Sequence, residues 1–511
     1  MLHALTSDRI RAAEEKAVAQ GSGATLAGFM RRAGAAVAAI VAARVPEGHV
    51  VVLAGRGNNG GDGWVVAGEL VAEGRDVRVL TVVEPSDLIG PAAEAASAAI
   101  AAGVTWEAPA DAARVSEVLE GSSACVDALL GIGASGPLRD PLPAWIEAAN
   151  GGDVFRVAVD VPSGIDADTG AVEGTAFAAD VTVTFSTAKP GLMLFPGARY
   201  VGELAVVDVG IPRELLEEPG ALELWSDAEY ARLLPLPDIE AHKNSRGRLL
   251  IVAGSGAFPG AAALAVMGAQ RMGAGYVTVA VPESVAPILQ RRFASAVIVG
   301  LPENPSRTFA SKATDAIVNL SREADAVVLG PGVTLSHGVV LLVRAAVKRI
   351  ESPLVIDADG LNALVDVVDV LTAREATTVI TPHAGELARL LAVSAEEIQA
   401  DRLSFGSRLA GPSRTCVLKG PHTVISGAGR QIINVSGGPW LATAGTGDVL
   451  AGMVGALVAQ GLGPLEASAL AAHLHGRAGD LAADALTPVC VTAEDVPAHV
   501  PGAVRELLEG S

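Results

Sequence analysis

The chain has 511 residues, with 37 Lys and Arg against 57 Asp and Glu, a net charge of −20 and 50% hydrophobic content. Such an acidic balance without a basic run excludes nucleic acid as a main partner, but not a nucleotide, which needs only a few local N–H donors. Three scattered cysteines, Cys125, Cys416 and Cys490, are too few for a disulfide framework or a zinc site, and the opening residues Met1 to Ile10 lack a signal-peptide core. In chain order, the first predicted strand is Val50 to Ala54, followed by a glycine loop, Gly55 to Gly63. A helix from Trp64 to Glu73 and a strand from Val77 to Val83 complete a βαβ unit, whose right-handed crossover makes the strands parallel. Three more apolar runs end in polar residues: Cys125-Val126-Asp127, Val157-Ala158-Val159-Asp160 and Val181 to Phe185. Buried parallel strands read this way, and ligands gather at their C-terminal ends, so Asp127 and Asp160 are expected beside the loop after Ala54.

After Pro212 the alternation stops. Residues 219–240, with Pro235 and Pro237, are expected to link a front domain (1–218) to a rear one (241–505). Ala241-His242-Lys243-Asn244 then leads to a strand at Leu249 to Ala253, a helix from Ala261 to Met272 and a strand at Tyr276 to Val281. Further strands are predicted at 326–329, 354–356, 379–380 and 416–418, with short turns between 414 and 434 that predict antiparallel pairing late in the sheet. The apolar stretch Val449 to Leu465 is short of the ~20 residues of a membrane span and contains Pro464, so a buried helix and no membrane partner are expected. The expected fold class is α/β: two three-layer α/β/α domains, the front one Rossmann-like and the rear one with a mostly parallel sheet.

Two stretches carry phosphate-friendly chemistry. Thr443-Ala444-Gly445-Thr446-Gly447-Asp448 opens the long apolar segment. Small residues let backbone approach an anion, and a helix start turns free N–H groups and a positive dipole end towards it. An Asp beside that anion is repelled unless it has work, such as deprotonating an attacking hydroxyl. The second stretch, Gly55 to Gly63, has neither a GxGxxG register nor a Walker lysine. Its paired asparagines suit a sugar, a phosphate or a hard cation, whose oxygen shell Asp127 and Ser163 would complete. In the rear half, Gly254-Ser255-Gly256, Pro259-Gly260-Ala261, Gly330-Pro331-Gly332, Asp357 to Asn362, Thr381-Pro382-His383-Ala384-Gly385-Glu386 and Lys419-Gly420-Pro421-His422-Thr423 all fall where strands meet loops, which predicts one crevice.

The front motifs, namely Gly55 to Gly63, Asp127 to Gly133, Val159 to Gly170, Lys189 to Leu192 and Asp208 to Pro212, resemble the N-terminal domain of NAD(P)HX epimerases. That resemblance implies substrate contacts at Asn58, Asn59, Gly60, Gly61, Asp62, Gly131, Ile132, Gly133, Ala134, Ser135, Gly136, Pro137 and Asp160. It also implies potassium at Asn59, Asp127 and Ser163, with Asp160 as a catalytic residue. Ile132 to Ser135 depart from the usual threonine and leucine there. The rear motifs resemble ADP/ATP-dependent NAD(P)H-hydrate dehydratases, of the ribokinase-like group, with Asn244 in place of a usual glycine.

In that family a nucleotide phosphorylates the 6-hydroxyl of the hydrated dihydronicotinamide, and loss of phosphate restores the ring double bond. The resemblance places Ala261, Gly332, His383 and Asp448 against the hydrate, with Asp448 as catalytic base. It places Lys419, Gly420, Pro421, His422, Thr423, Gly445, Thr446 and Gly447 against ADP or ATP, with Mg²⁺ implied. Small-molecule partners (NADHX, NADPHX and the nucleotide), a homo-oligomer and a cytoplasmic location follow as expectations, ADP being favoured over ATP. The alternative is a ribokinase-like alcohol kinase fused to a non-catalytic nucleotide-binding module. Its anion hole and Asp base would look almost the same.

Overall fold

The computed structural model describes residues 2–20, 24–217, 221–240, 242–243 and 245–510. The expected residues Ala241 and Asn244 lie outside these. The chain divides into two compact units, Leu2–Leu222 and Glu223–Ser511.

In the first unit the strands run Thr105–Glu107, Val77–Thr81, Val50–Ala54, Ala124–Ala128, Phe155–Val159, Val181–Phe185, Glu203–Val207, all parallel. Strand side chains alternate between faces, and here both faces are buried. Val50, Val52 and Ala54 pack with helices Leu26–Arg44, Asn58–Ala72 and Gly90–Ala101, while Val51 and Leu53 pack with Ala112–Leu119 and Leu142–Gly151. Helix Leu26–Arg44 is long and apolar enough to cross a membrane, yet its Val37, Ala38 and Val41 belong to this core. The unexpected strand Glu203–Val207 occupies the edge, where partial exposure weakens its apolar pattern.

One boundary differs in a way that bears on the site. The helix predicted from Trp64 begins at Asn58, so the glycine loop is itself the first helical turns. Glycine lowers helix propensity, which hid this start, but close approach demands it. A Cβ on Gly60 would lie 1.9 Å from the Gly55 carbonyl oxygen.

In the second unit the strands run Arg430–Asn434, Thr423–Gly427, Arg414–Leu418, Thr378–Ile380, Leu354–Ile356, Ala326–Leu329, Arg248–Val252, Tyr276–Pro282, Val297–Leu301. The pairs among 414–434 are antiparallel, as expected, and the rest are parallel. Helices Pro259–Arg271, Thr446–Ala459 and Pro464–Leu486 share a core with Leu249, Ile251 and Val328, and helix Thr314–Ser321 contacts strand Arg248–Val252. The apolar run expected as one buried helix from Val449 to Leu465 is two. Every residue from Val449 to Ala459 is buried in helix Thr446–Ala459, and after Gln460 to Gly463 a second helix starts at Pro464, because Gly461, Gly463 and Pro464 end the first.

The expected linker 219–240 is corrected in part. Its described portion carries strand Leu222–Leu224 and helix Asp227–Ala231, because Trp225 and Tyr230 have apolar rings to bury and join the second unit's core. Tyr230 stacks on His473, with ring centroids 4.0 Å apart.

Candidate active sites

In the first unit, Asp127 is the last residue but one of strand Ala124–Ala128 and fully buried, and its side chain accepts from residues that follow it in sequence. Ser163 donates its backbone N–H to Oδ2 at 2.7 Å and its hydroxyl to Oδ1 at 2.8 Å, and Leu129 N–H donates to Oδ1 at 3.1 Å. The Leu130 N–H donates to the Ser163 hydroxyl at 3.0 Å, and the Asn59 amide donates to the Leu130 carbonyl at 2.8 Å. Asn59, Asp127 and Ser163 are thereby joined in one buried, oxygen-rich cluster. Burial lifts the Asp127 carboxyl to about 6, against the pull of the Ser163 and Leu129 bonds. No cationic side chain contributes to that balance. A buried carboxylate without a cationic partner, beside a hydroxyl and an amide oxygen, is a donor set suited to a hard monovalent ion.

Asp160 ends the neighbouring strand with a left-handed backbone, φ 66°. Among the described residues its side-chain hydrogen bonds all reach Oδ1: from the Lys189 ammonium, from the Thr184 hydroxyl at 3.2 Å and from the Phe185 N–H at 3.4 Å. Lys189 is buried and spends its other donors on the Thr184 hydroxyl at 2.8 Å and the Phe185 carbonyl at 3.2 Å. Two further carboxyls feel this pair. Burial, then Asp160 and Glu14, push Asp62 well above the carboxylate range, opposed by Lys189. Burial and Asp160 raise Glu14, with Lys189 and Arg11 opposing. The segment Gly131 to Pro137 follows Asp127 directly, and Arg11 donates to the Ile132 carbonyl at 3.2 Å. Glu14, Thr184, Lys189 and Arg11 were given no role by the sequence reading. Lys189 stood in a quoted motif, but nothing in the chain order announces that it bonds Asp160, 29 residues away.

In the second unit, helix Thr446–Ala459 starts from Gly445, whose φ of 99° suits glycine. The Thr446 hydroxyl donates to the Leu441 and Thr443 carbonyls at 3.0 Å each, and His475 Nε2 lies 2.9 Å from the Thr446 carbonyl. Because a carbonyl only accepts, Nε2 carries the hydrogen, and burial lowers this histidine to about 4, keeping it neutral.

Facing this helix start is a buried charge cluster. Lys419 Nζ donates to Asp357 Oδ1 at 2.8 Å, has Glu386 Oε2 at 3.9 Å, and lies 3.3 Å from where a Cβ on Gly447 would stand. The Thr381 hydroxyl also donates to Asp357 Oδ1, at 2.7 Å. Burial pulls the Lys419 ammonium down, but Asp357, Glu386 and Asp448 together win and hold it above its ordinary value. Asp448 is pushed up to about 7 by burial first, then by Asp357, with Lys419 opposing and Asp359 and Glu386 adding. A carboxyl poised near neutrality is suited to general-base work.

The other expected residues fall into connected groups. A Cβ on Gly332 would be 2.7 Å from Ala261 Cβ, so these two adjoin. The Thr334 N–H two residues on donates to Asp359 Oδ2 at 3.0 Å, tying that corner to the Asp357–Asp359 turn. His383 caps helix Ala384–Leu391: its Nδ1 accepts from the Gly385 and Glu386 N–H groups, and Glu386 accepts from the His383 N–H. His383 also bridges Lys419 in parallel fashion. The stretch Lys419 to Thr423 is buttressed by Arg402, which is buried and donates to the Leu418 carbonyl at 3.0 Å and the His422 carbonyl at 3.4 Å. Arg402 had no sequence signal beyond being an arginine in a helical stretch. Among the described residues no group of three or more His, Cys, Asp or Glu is arranged to hold a metal ion.

Comparison with known proteins bears on both units. A family model described as NAD(P)H-hydrate dehydratase matches residues 249–501, and one described as YjeF-related protein N-terminus matches 26–191. A bifunctional NAD(P)H-hydrate repair enzyme of Thermofilum pendens is 39% identical over 489 residues, covering 94% of this chain and 92% of its own. That of Moorella thermoacetica is 38% identical over 472 residues, covering 91% and 89%. Among solved structures, the Bacillus subtilis ADP/ATP-dependent NAD(P)H-hydrate dehydratase co-crystallised with ATP/Mg²⁺ is 27% identical, covers 56% of this chain and 99% of its own, and has a TM-score of 0.48.

Proposed function

The chain belongs to the family of bifunctional NAD(P)H-hydrate repair enzymes, and from that premise we propose how its two units divide the work. The first unit interconverts the R and S epimers of hydrated NADH and NADPH. The second dehydrates the S epimer at the expense of ADP, with ATP as the lesser co-substrate. The observation that carries the second assignment is Asp448, poised near neutrality at a helix N-terminus with Lys419 facing it.

In the second unit Asp448 takes the proton of the 6-hydroxyl as that oxygen attacks the terminal phosphoryl group. The N–H groups of Ala444 to Gly447 and the Lys419 ammonium stabilise charge on the transferring phosphoryl. Phosphate then leaves where hydroxide would not, the ring nitrogen supplying electrons, and loss of a proton from the adjacent carbon restores the double bond. Ala261, Gly332 and His383 border the hydrate, whereas Lys419 to Thr423, with Gly445 to Gly447, border the nucleotide. A Mg²⁺ bound with the phosphates would neutralise charge there.

In the first unit Asn58 to Asp62, Gly131 to Pro137 and Asp160 hold the hydrate. The oxygens of Asn59, Asp127 and Ser163 would hold potassium, which would supply a positive charge beside the buried Asp127 carboxyl. The test is recovery of 340-nm absorbance from S hydrate with ADP or ATP. A purified chain that leaves both nucleotides and the hydrate unchanged contradicts the assignment.

A further inference from the structure

The pair of groups that moves protons during epimerisation can be argued from the carboxyls of the first unit, and the argument rests on the epimerase reading above. Inverting C6 exchanges one hydroxyl for another across the ring. One group must protonate the departing oxygen, and another must accept a proton from the incoming water. Asp62 lies on the helix after strand Val50–Ala54, and Asp160 ends strand Phe155–Val159. These two strands flank Ala124–Ala128, so the two residues are carried by segments that leave the sheet on either side of one strand end.

Their surroundings differ sharply. Lys189 hydrogen-bonds Asp160 alone of the three carboxyls, while Asp62 and Glu14 feel its charge without a bond to it. It can compensate one negative charge, and the bond assigns it to Asp160. Among the described residues every side-chain hydrogen bond to Asp160 ends on Oδ1, leaving Oδ2 for a ligand. Asp62 is half-buried within helix Asn58–Ala72, and its side chain makes no hydrogen bond among the described residues.

We propose that Asp62 delivers the proton to the departing 6-hydroxyl and Asp160 accepts one from the incoming water, with Lys189 the positioning residue that distinguishes the two carboxyls. The balance is simple. Asp62 gives up its proton, the C6–O bond breaks with its electron pair leaving as water, and the ring-nitrogen lone pair becomes an N1=C6 double bond. Water adds at the opposite face, the N1=C6 pair returns to nitrogen, and the surplus proton goes to Asp160. Asp62 ends ionised and Asp160 protonated, ready for the reverse inversion or for resetting by exchange with solvent. The elevated proton affinity of Asp62, set by burial, Asp160 and Glu14 against Lys189, accords with its role as donor.

The experiment uses the full chain with R hydrate of NADH and no nucleotide, so that only inversion is read, by chromatography of the epimers. A wild-type chain no faster than the spontaneous rate sinks the epimerase reading itself. With active wild type, Asp62→Asn is expected to lose at least ~100-fold in kcat, with partial recovery in Asp62→Glu; Asp62→Asn within threefold of wild type overturns the proposal. Among the described residues the Asp62 side chain makes no hydrogen bond that this change would break, and thermal unfolding of Asp62→Asn within a few degrees of wild type confirms that a lost rate is not a lost fold. Lys189→Met is expected to slow inversion and shift the acidic limb of the pH–rate profile upward, with Lys189→Arg restoring both. A profile in Lys189→Met that keeps the wild-type limbs makes Lys189 merely structural and overturns its part. In ¹⁸O-labelled water each inversion must place one solvent oxygen on C6, and inversion without label overturns the mechanism.

Discussion

Each unit sets a lysine against a buried aspartate beyond the C-terminal ends of parallel strands, Lys189 with Asp160 and the partly buried Lys419 with Asp357. The two pairs are put to opposite use. Lys189 spends its donors on Asp160, Thr184 and Phe185, so what remains open is the carboxylate's second oxygen. Lys419 makes one hydrogen bond to Asp357 and lies beside a helix N-terminus, so what remains open is the ammonium. The first arrangement presents an acceptor to water and hydroxyl; the second presents a cation to phosphate. A buried ion pair alone thus says little about chemistry, and its unspent valences say more.

The largest effect that would break this comparison is at Asp448. Asp448→Asn should lower S-hydrate conversion by about 10²–10⁴-fold in the 340-nm assay while leaving epimer interconversion intact. Next is Lys419→Met, which should weaken use of the nucleotide about 100-fold in kcat/KM, the scale of ~3 kcal/mol for a charge-assisted contact, again sparing inversion. If inversion fell equally, the two lysines would not serve separate sites. Smaller is the potassium response: Asp127→Asn should blunt any stimulation of inversion by KCl over tetramethylammonium chloride, and leave dehydration alone.

The smallest effect is on stability. Asp448 ionises near 7 when folded but near the usual 3.8 when unfolded, so the folded state holds its proton more tightly. Its contribution to stability is present below pH ~4 and is lost as pH rises through about 7. Asp448→Asn, which buries no charge, should therefore raise Tm relative to wild type at pH 8 and not at pH 4, by thermal unfolding at both pH values.

Much of this was legible in the chain. Apolar runs ending in Asp127 and Asp160 marked strand ends, and short turns after Arg414 marked antiparallel strands, because buried strands leave continuous hydrophobic signals. The start of helix Asn58–Ala72 was not legible, since its glycines serve close packing and imitate a loop. Nor were the partners of the site residues. Lys189, after strand Val181–Phe185, reaches back to the end of the adjacent strand Phe155–Val159, and Arg402 steadies His422 from another element. Such pairings are set by the sheet order, which local pattern does not contain. Glu223 shows the same limit: it pairs with Arg430, far along the chain, within what read as a linker.

The claim that two separate sites act in sequence is tested most directly with a mixture of R and S hydrates, ADP and the full chain, following 340-nm absorbance to its end. Wild type should convert the whole mixture. Asp160→Ala should convert the S fraction at the wild-type rate and then slow to the spontaneous rate of epimer exchange. Complete conversion by Asp160→Ala without such a break, or a wild-type reaction that stops at the S fraction, would contradict the account.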